Sequence, residues 1–242
     1  MNDVIVLVNV LGVDATGKST LSSHLADRKA CTIQNTKFAL DRLDEFSSCF
    51  VGQGLVESIH GTNLGLRLSG DAVSRIADTM AILADCTFSL EVALGRVSGP
   101  SVLVADRGFP GHIGIQAVRI ADELGIAATD AAKSLLDLYS ASLGLARRLV
   151  PSMAIVELDV HLIADEEAIG ERNVARGRPA FSETDWRQLR ASRTLNDALL
   201  EHRAASGIET TTLDTTRVSI REAGDEALAH VARLVAKRQV QE

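Results

Sequence analysis

The stretch Gly12–Thr20 (GVDATGKST) decides the fold: it follows the apolar run Val4–Leu11 (VIVLVNVL) and leads into the helical spacing of Lys18–Arg28. In this pattern a glycine-rich turn directs backbone N–H groups at phosphates, a lysine reaches the β- and γ-phosphates, and a hydroxyl binds magnesium. The adjoining helix N-terminus would face the anion. We therefore predict a phosphate-binding loop; a glycine turn without a nucleotide is the alternative.

Each loop residue then has an expected task. Lys18 and the loop amides are predicted to hold the donor phosphates, Ser19 to bind Mg²⁺, and Thr20 to assist at the α-phosphate. The loop residues assigned to the nucleotide are Gly12, Ala15, Thr16, Gly17, Lys18, Ser19 and Thr20.

Composition and charge limit the class of protein. The 242 residues suit one α/β domain, 1–242, with an aliphatic core, since 46% are hydrophobic and only 3% aromatic. The net charge of −7 argues against a general nucleic-acid or anionic-membrane surface. Three cysteines without paired spacing indicate neither a disulfide framework nor a zinc site. Met1–Leu11 is too short to span a bilayer and lacks a basic n-region, so a cytoplasmic location is expected.

Strand-like runs alternate with helical patterns along the chain. Helical spacing covers about 71–94, 111–124, 129–149, 165–176, 182–205 and 220–237, and Ser182 with Asp185 has the spacing of a capping box. The alternation predicts an open parallel sheet covered by helices on both faces. Ligands in such sheets gather where the strands end, here after Leu11, Ile33, Ala105, Val160 and Leu213.

Asp106 and Arg107 follow the short apolar run 101–105. An aspartate at the end of such a strand can hold magnesium in P-loop enzymes, and the adjacent arginine would point toward the transferred or acceptor phosphate. The alternatives are a helix cap for Asp106 and a surface ion pair for Arg107. Asp14, inside the loop, is a candidate base or contact to a metal-bound water, with an Asx turn as its alternative.

The segment 171–182 carries three arginines around Gly177. Arg172 and Arg176 are one helical turn apart and are expected to share a face. An arginine lid here would neutralise charge building on the γ-phosphate and exclude water. The alternative is an ordinary basic helix C-terminus.

With these motifs in this order, the chain resembles the thymidylate kinase group of P-loop nucleoside monophosphate kinases. The loop with its internal Asp14, the pair Asp106-Arg107 followed by Gln116, and Leu213–Thr216 before the last helix are similar to that group. The resemblance implies ATP and Mg²⁺, a five-stranded parallel sheet, catalytic lid arginines and often a homodimer. It also places Arg178, Asp214 and Thr215 at the nucleotide.

The resemblance fails on the acceptor side. Cys86 matches the position of the family's thymine-contacting arginine, and Ile115 stands where the family has a tyrosine before the glutamine. Because a site that loses its polar partners binds the same base far more weakly, thymidylate is not the expected acceptor. The sequence predicts an ATP-dependent kinase of another nucleotide or nucleoside-like molecule, with Asp14, Arg107 and Gln116 on the acceptor side.

Three alternatives remain open: a kinase of a non-nucleoside alcohol, a P-loop regulatory switch, and a kinase fold that binds ligands without catalysis. The arginine segment favours group transfer over a switch, and no guanine-reading Asn-Lys-x-Asp run is present. Retention of Lys18, Ser19, Asp106 and Arg107 argues against the third alternative.

Overall fold

The structure is a computed structural model that describes residues 3–27, 31–34, 101–106, 108–149 and 153–240. The predicted helix 71–94 lies outside these ranges, as do Cys86 and Arg107.

Five described strands form one sheet in which every neighbouring pair is parallel. They are β1 Asp3–Leu11, β2 Cys31–Gln34, β3 Ser101–Asp106, β4 Met153–Ile163 and β5 Glu209–Asp214, in the spatial order β2-β3-β1-β4-β5. The predicted parallel α/β sheet is confirmed. Strand β4 was predicted to end at Val160 but continues to Ile163, because its last residues pair with the end of β5.

The described helices are α1 Lys18–Asp27, α2 Gly108–Leu124, α3 Ala128–Leu149, α4 Glu166–Ala175, α5 Glu183–Ala205 and α6 Ile220–Val240. Helix α2 begins three residues before the predicted start at Gly111. The predicted capping box is present, with Ser182 and Asp185 bonding each other's backbone amides. Within the described ranges, no helix combines the length and apolar character needed to cross a membrane.

Alternate residues of the central strands enter two separate cores, one on each face of the sheet. On one face Ile5 and Leu7 of β1 join buried residues of α2, α3 and α5. On the other face the β1 valines join buried residues of α1 and α6. Two buried faces explain why β1 is almost continuously apolar, and together they give the predicted three-layer arrangement.

A network of buried charges interrupts the first of these cores. Arg203 of α5 bonds both carboxylate oxygens of Asp159, and its Nη2 lies 2.8 Å from Oε1 of Glu157. Tyr139 of α3 donates to the same Glu157 oxygen at 2.6 Å, and Asn9 of β1 donates to Asp159 at 3.0 Å. The network therefore ties α3 and α5 to the two central strands.

These contacts also set the protonation of the network. Burial alone would lower the pKa of Arg203, but its hydrogen bond to Asp159 and the charges of Asp159 and Glu157 outweigh burial and raise the pKa. The pKa of Tyr139 is raised by burial and then by the charge of Glu157. Arg203 is therefore charged and Tyr139 neutral at ordinary pH.

We expect Arg203→Ala to lower the free energy of unfolding by about 3–5 kcal/mol, because it removes the buried cation that bonds both Asp159 and Glu157. The matched control is Arg190→Ala, which removes an arginine of the same helix that bonds Glu166 at 2.7 and 2.8 Å on the surface. That change should cost no more than about 1 kcal/mol. Urea unfolding of both variants tests the difference, and equal losses would contradict it.

Candidate functional site

The loop between β1 and α1 adopts a backbone that needs positive φ angles. Gly12 and Gly17 have φ of 137° and 96°, and Ala15 between them has φ of 63°. Positive φ is unfavourable for a residue with a side chain, so Ala15 must be held by its surroundings. The strand, turn and helix predicted for Gly12–Thr20 are all present.

Glycine at position 12 is also required by a close approach of β4. A Cβ on Gly12 would lie 2.4 Å from the carbonyl oxygen of Leu162 and 2.8 Å from the hydroxyl oxygen of Thr16. Neither neighbour can withdraw easily, since Leu162 belongs to a sheet strand and Thr16 is fully buried. The loop is therefore seated directly on the end of β4.

Two side chains of the loop bond its own backbone. Thr16 Oγ1 and Lys18 Nζ both donate to the carbonyl of Val13, at 2.9 and 2.5 Å, and both side chains are buried. Helix α1 starts immediately afterwards, where Leu21 N–H donates to Gly17 O. The amides of the first turn, from Lys18 onward, have no intrahelical acceptor and lie at the positive end of the helix dipole. This cradle fits an oxyanion.

The predicted lid segment 171–182 lies against this loop. Val13 and Ala15 are buried with Ile169 of α4, and Phe181 and Trp186 pack against the same cluster. The Phe181 and Trp186 rings meet edge to face at 4.9 Å between centroids. Because Trp186 is the only tryptophan in the chain, its fluorescence reports on the packing of this cluster.

The three arginines of this segment occupy different surroundings. Arg172 is half-buried on α4, where its guanidinium donates to Thr215 and to the carbonyl of Ala15. Arg176 is the C-cap residue of α4, and both it and Arg178 are exposed. Arg172 therefore lies within helix α4, whereas Arg176 lies at its end, and the two side chains differ in burial and partners.

Asn173 was missed by the sequence analysis. Its side chain is buried and donates to the carbonyl of Pro179 at 2.7 Å, while its own carbonyl accepts from the amide of Arg178. These bonds fold the segment after α4 back onto the helix. The signal available in the sequence was an asparagine four residues before Gly177, which has a φ of 72° in the structure.

The loop after β5 contacts the glycine loop, Gly12–Thr20, directly. Thr215 is buried, and its hydroxyl oxygen lies 3.0 Å from the carbonyls of both Thr16 and Ile163. Asp214 accepts from the Thr216 amide at 2.9 Å, which is the main reason that its pKa is lowered. The two segments assigned to the nucleotide, although far apart in sequence, are therefore adjacent.

The other residues predicted for the site differ in their burial and in their position on the sheet and helices. Asp14 is half-buried within the loop, while Ser19 and Thr20 are exposed on α1. The backbone of Asp106 ends β3 opposite Val10 of β1, so it lies at the same sheet edge as the loop. Gln116 is buried in α2.

His161 is a second residue that the sequence analysis missed. It pairs in register with Leu11 of β1, which places it at the sheet edge beside the loop, and it is buried. Its Nδ1 lies 3.7 Å from Oδ1 of Asp197. Burial lowers the pKa of His161, and the charges of Arg193 and Lys18 lower it further, against the opposing effect of Asp197. A histidine within a buried strand was the available signal.

The fold is similar to that of a kinase of known structure. Three solved structures of deoxyadenosine kinase from M. mycoides, with dCMP and dCDP, with dCTP and with dATP, match with TM-scores of 0.54, 0.51 and 0.54. The matches cover 94%, 94% and 95% of this chain and 99% of each kinase chain, at 11%, 10% and 13% identity. The chain therefore shares the overall fold of these structures. No protein-family model and no curated protein matches its sequence.

We expect Gly12→Ala to lower the free energy of unfolding by about 2–4 kcal/mol, because the new Cβ overlaps Leu162 O and the backbone keeps a strained φ. Gly144→Ala on α3 is the control, since a Cβ there meets nothing within 4 Å. That variant should stay within about 1 kcal/mol of the parent. Urea unfolding measures both, and an equally stable Gly12→Ala protein would refute the close contact.

The lowered pKa of His161 predicts an acid-dependent loss of stability. Above its ordinary pKa of about 6.5 the imidazole is neutral in both states. As the pH falls below that value, the unfolded chain takes up a proton that the folded chain resists, so the unfolding free energy falls until the folded pKa is passed. Unfolding at pH 7.5, 6.5 and 5.5 should show a weaker decline for His161→Gln than for the parent. Parallel declines would contradict this assignment.

Proposed function

We propose that the chain is an ATP- and Mg²⁺-dependent kinase that transfers the γ-phosphoryl group to a nucleotide or nucleoside-like acceptor. The observation that carries this proposal is the contact of three segments at one sheet edge: the glycine loop with Lys18, the arginine segment, and the loop after β5. Phosphoryl transfer needs positioned phosphates and positive charge rather than a covalent protein group. The assembled segments can supply both.

The donor nucleotide is assigned to the loop and its neighbours. Its phosphates would be held by the loop amides, by Lys18 and by the first turn of α1, which is the anion-binding end of that helix. Thr20 would assist at the α-phosphate, and Asp214 and Thr215 would lie on the adenine side. Arg176 and Arg178, exposed after α4, would neutralise the γ-phosphoryl group during transfer.

Magnesium would be held mainly by the phosphates. The Ser19 hydroxyl, exposed at the start of α1, suits this arrangement, and Asp106 ends the neighbouring strand β3. Mg²⁺ takes few protein ligands and keeps several waters, so a large carboxylate cluster is not needed. The ion, when bound, would neutralise charge between the β- and γ-phosphates.

A nucleoside-type acceptor is favoured over other alcohols because the structures with a similar fold are of a deoxyadenosine kinase and contain dCMP, dCTP or dATP. In this chain Asp14 is proposed to orient the acceptor hydroxyl, and Arg107 and Gln116 to bind the acceptor. Among the described residues, the docked arginine segment favours group transfer over a regulatory switch.

The proposal is tested by screening nucleosides, nucleoside monophosphates and amino or sugar alcohols for an ATP-dependent mass shift. With an accepted substrate, Lys18→Ala should lower the rate of transfer about a hundredfold or more, since it removes a charge that acts on the transferred phosphate. Lys133→Ala removes an exposed lysine on α3 and should match the parent. ADP release and the product mass are the readouts.

Full activity of Lys18→Ala, with its fold verified by circular dichroism, would refute the assignment of the loop. If only sugar alcohols are phosphorylated, the proposed nucleoside-like acceptor is wrong and the chain is a kinase of a non-nucleoside alcohol. Slow hydrolysis that no hydroxyl compound accelerates would favour the switch.

A further inference from the structure

We propose that Arg172 is a positioning residue: together with Thr215 it holds the phosphate-binding loop in the conformation that presents its amides, and it does not contact the transferred phosphoryl group. This assignment rests on the proposed kinase function. It separates Arg172 from the two exposed arginines that follow it in the chain.

The guanidinium of Arg172 is engaged by protein atoms on two sides. Nη2 donates to the carbonyl of Thr215 at 2.7 Å, and Nη1 donates to the Thr215 hydroxyl oxygen at 3.1 Å. Nη1 also lies 3.4 Å from the carbonyl oxygen of Ala15. Both terminal nitrogens are thus committed to two segments that are distant in sequence.

Thr215 extends this contact to the next loop carbonyl. Its hydroxyl oxygen lies 3.0 Å from Thr16 O, and its amide donates to Ile163 O at 2.8 Å, which fixes Thr215 to the end of β4. Two successive loop carbonyls, of Ala15 and Thr16, are therefore held by one arginine–threonine pair. We call this pair the Arg172–Thr215 clamp.

Holding the carbonyls determines where the following amides point. A planar trans peptide directs its N–H opposite to its C=O. Because the clamp holds the carbonyls of Ala15 and Thr16 on its own side, the amides of Thr16 and Gly17 point away from it. The clamp also supports the positive φ of Ala15, a conformation that an alanine does not favour by itself.

The helix that carries Arg172 is anchored to the same loop. Ile169, one turn earlier on α4, is buried against Val13 and Ala15. Arg172 is thus presented by a helix whose own packing depends on the loop conformation. Arg176 lies beyond the end of this helix and is exposed.

The two possible roles of Arg172 differ in their effect on ADP, which lacks the γ-phosphate. If Arg172 positions the loop, its loss weakens ADP and ATP binding alike. If it contacts the transferred group, its loss lowers kcat and leaves ADP affinity unchanged. Loss of a charged hydrogen-bond set corresponds to about a ten- to hundredfold weaker affinity.

The test measures Mg·ADP binding to the full chain by calorimetry, with Trp186 fluorescence as a second signal. We expect Arg172→Ala and Thr215→Val each to weaken ADP binding about tenfold or more, and their double variant to lose less than the sum, because both act through one clamp. In transfer assays the KM for ATP should rise more than kcat falls. Arg176→Ala should lower kcat more than it raises the KM for ATP. Arg187→Ala, which removes an exposed arginine of α5, should change neither ADP binding nor transfer.

Thr215→Ser keeps the hydroxyl and should restore most of the affinity lost in Thr215→Val, which keeps the test available if Arg172→Ala fails to fold. Parent-like ADP binding in both Arg172→Ala and Thr215→Val, or fully additive losses, would overturn the assignment while leaving the kinase proposal intact. Absence of ADP binding in the parent protein would overturn the kinase proposal, and the assignment with it.

Discussion

The glycine loop, Gly12–Thr20, depends on hydrogen-bond donors, in the loop itself and elsewhere in the protein, that satisfy its carbonyl groups. Val13 O accepts from two side chains of the loop itself, Ala15 O from Arg172, and Thr16 O lies against the hydroxyl of Thr215. A buried carbonyl without a donor costs about 1–3 kcal/mol. A loop that turns its amides outward therefore needs partners from elsewhere in the chain, and this requirement explains the contacts around it.

Strand β4 brings these partners to the loop because it lies between β1, which leads into the loop, and β5, which leads into the Thr215 segment. Its register places Leu11 opposite His161 and Ile163 opposite Asp214, so the loop and the Thr215 segment start at the same sheet edge. Helix α4 begins three residues after β4 ends and brings Arg172 to both. The same strand carries Glu157 and Asp159, whose charges need Arg203 and thereby fix how α5 sits on the sheet. A buried ion pair adds little net stability, but it is costly to break.

The features that could be predicted from the sequence are those determined by neighbouring residues. The strand, loop and helix around Gly12–Thr20 and the capping box of Ser182 with Asp185 depend on residues a few positions apart. The partner of Arg172 could not be found this way, since Ala15 lies 157 positions away. The buried ion pairs of β4 could not be predicted either, because the sequence does not show that Arg203 faces Glu157 and Asp159. Spacing alone could not distinguish Arg172, which is half-buried and hydrogen-bonded, from Arg176, which is exposed at the end of the helix.

The end of α4 at Ala175 separates two kinds of arginine: Arg172, half-buried within the helix, and the exposed pair Arg176 and Arg178 that follow it. If the loop binds the donor as proposed, an arginine bonded to backbone and hydroxyl oxygens, as Arg172 is, cannot follow a phosphoryl group without releasing that loop. Arg176 and Arg178 lie beyond the last helical turn and are exposed, so they can meet a ligand without that loss. In a kinase, a charge that holds the binding loop in place must stay fixed. A charge that stabilises the transition state must be able to approach the transferred group. Under the proposed function, the end of α4 at Ala175 would let one short segment supply both kinds of charge.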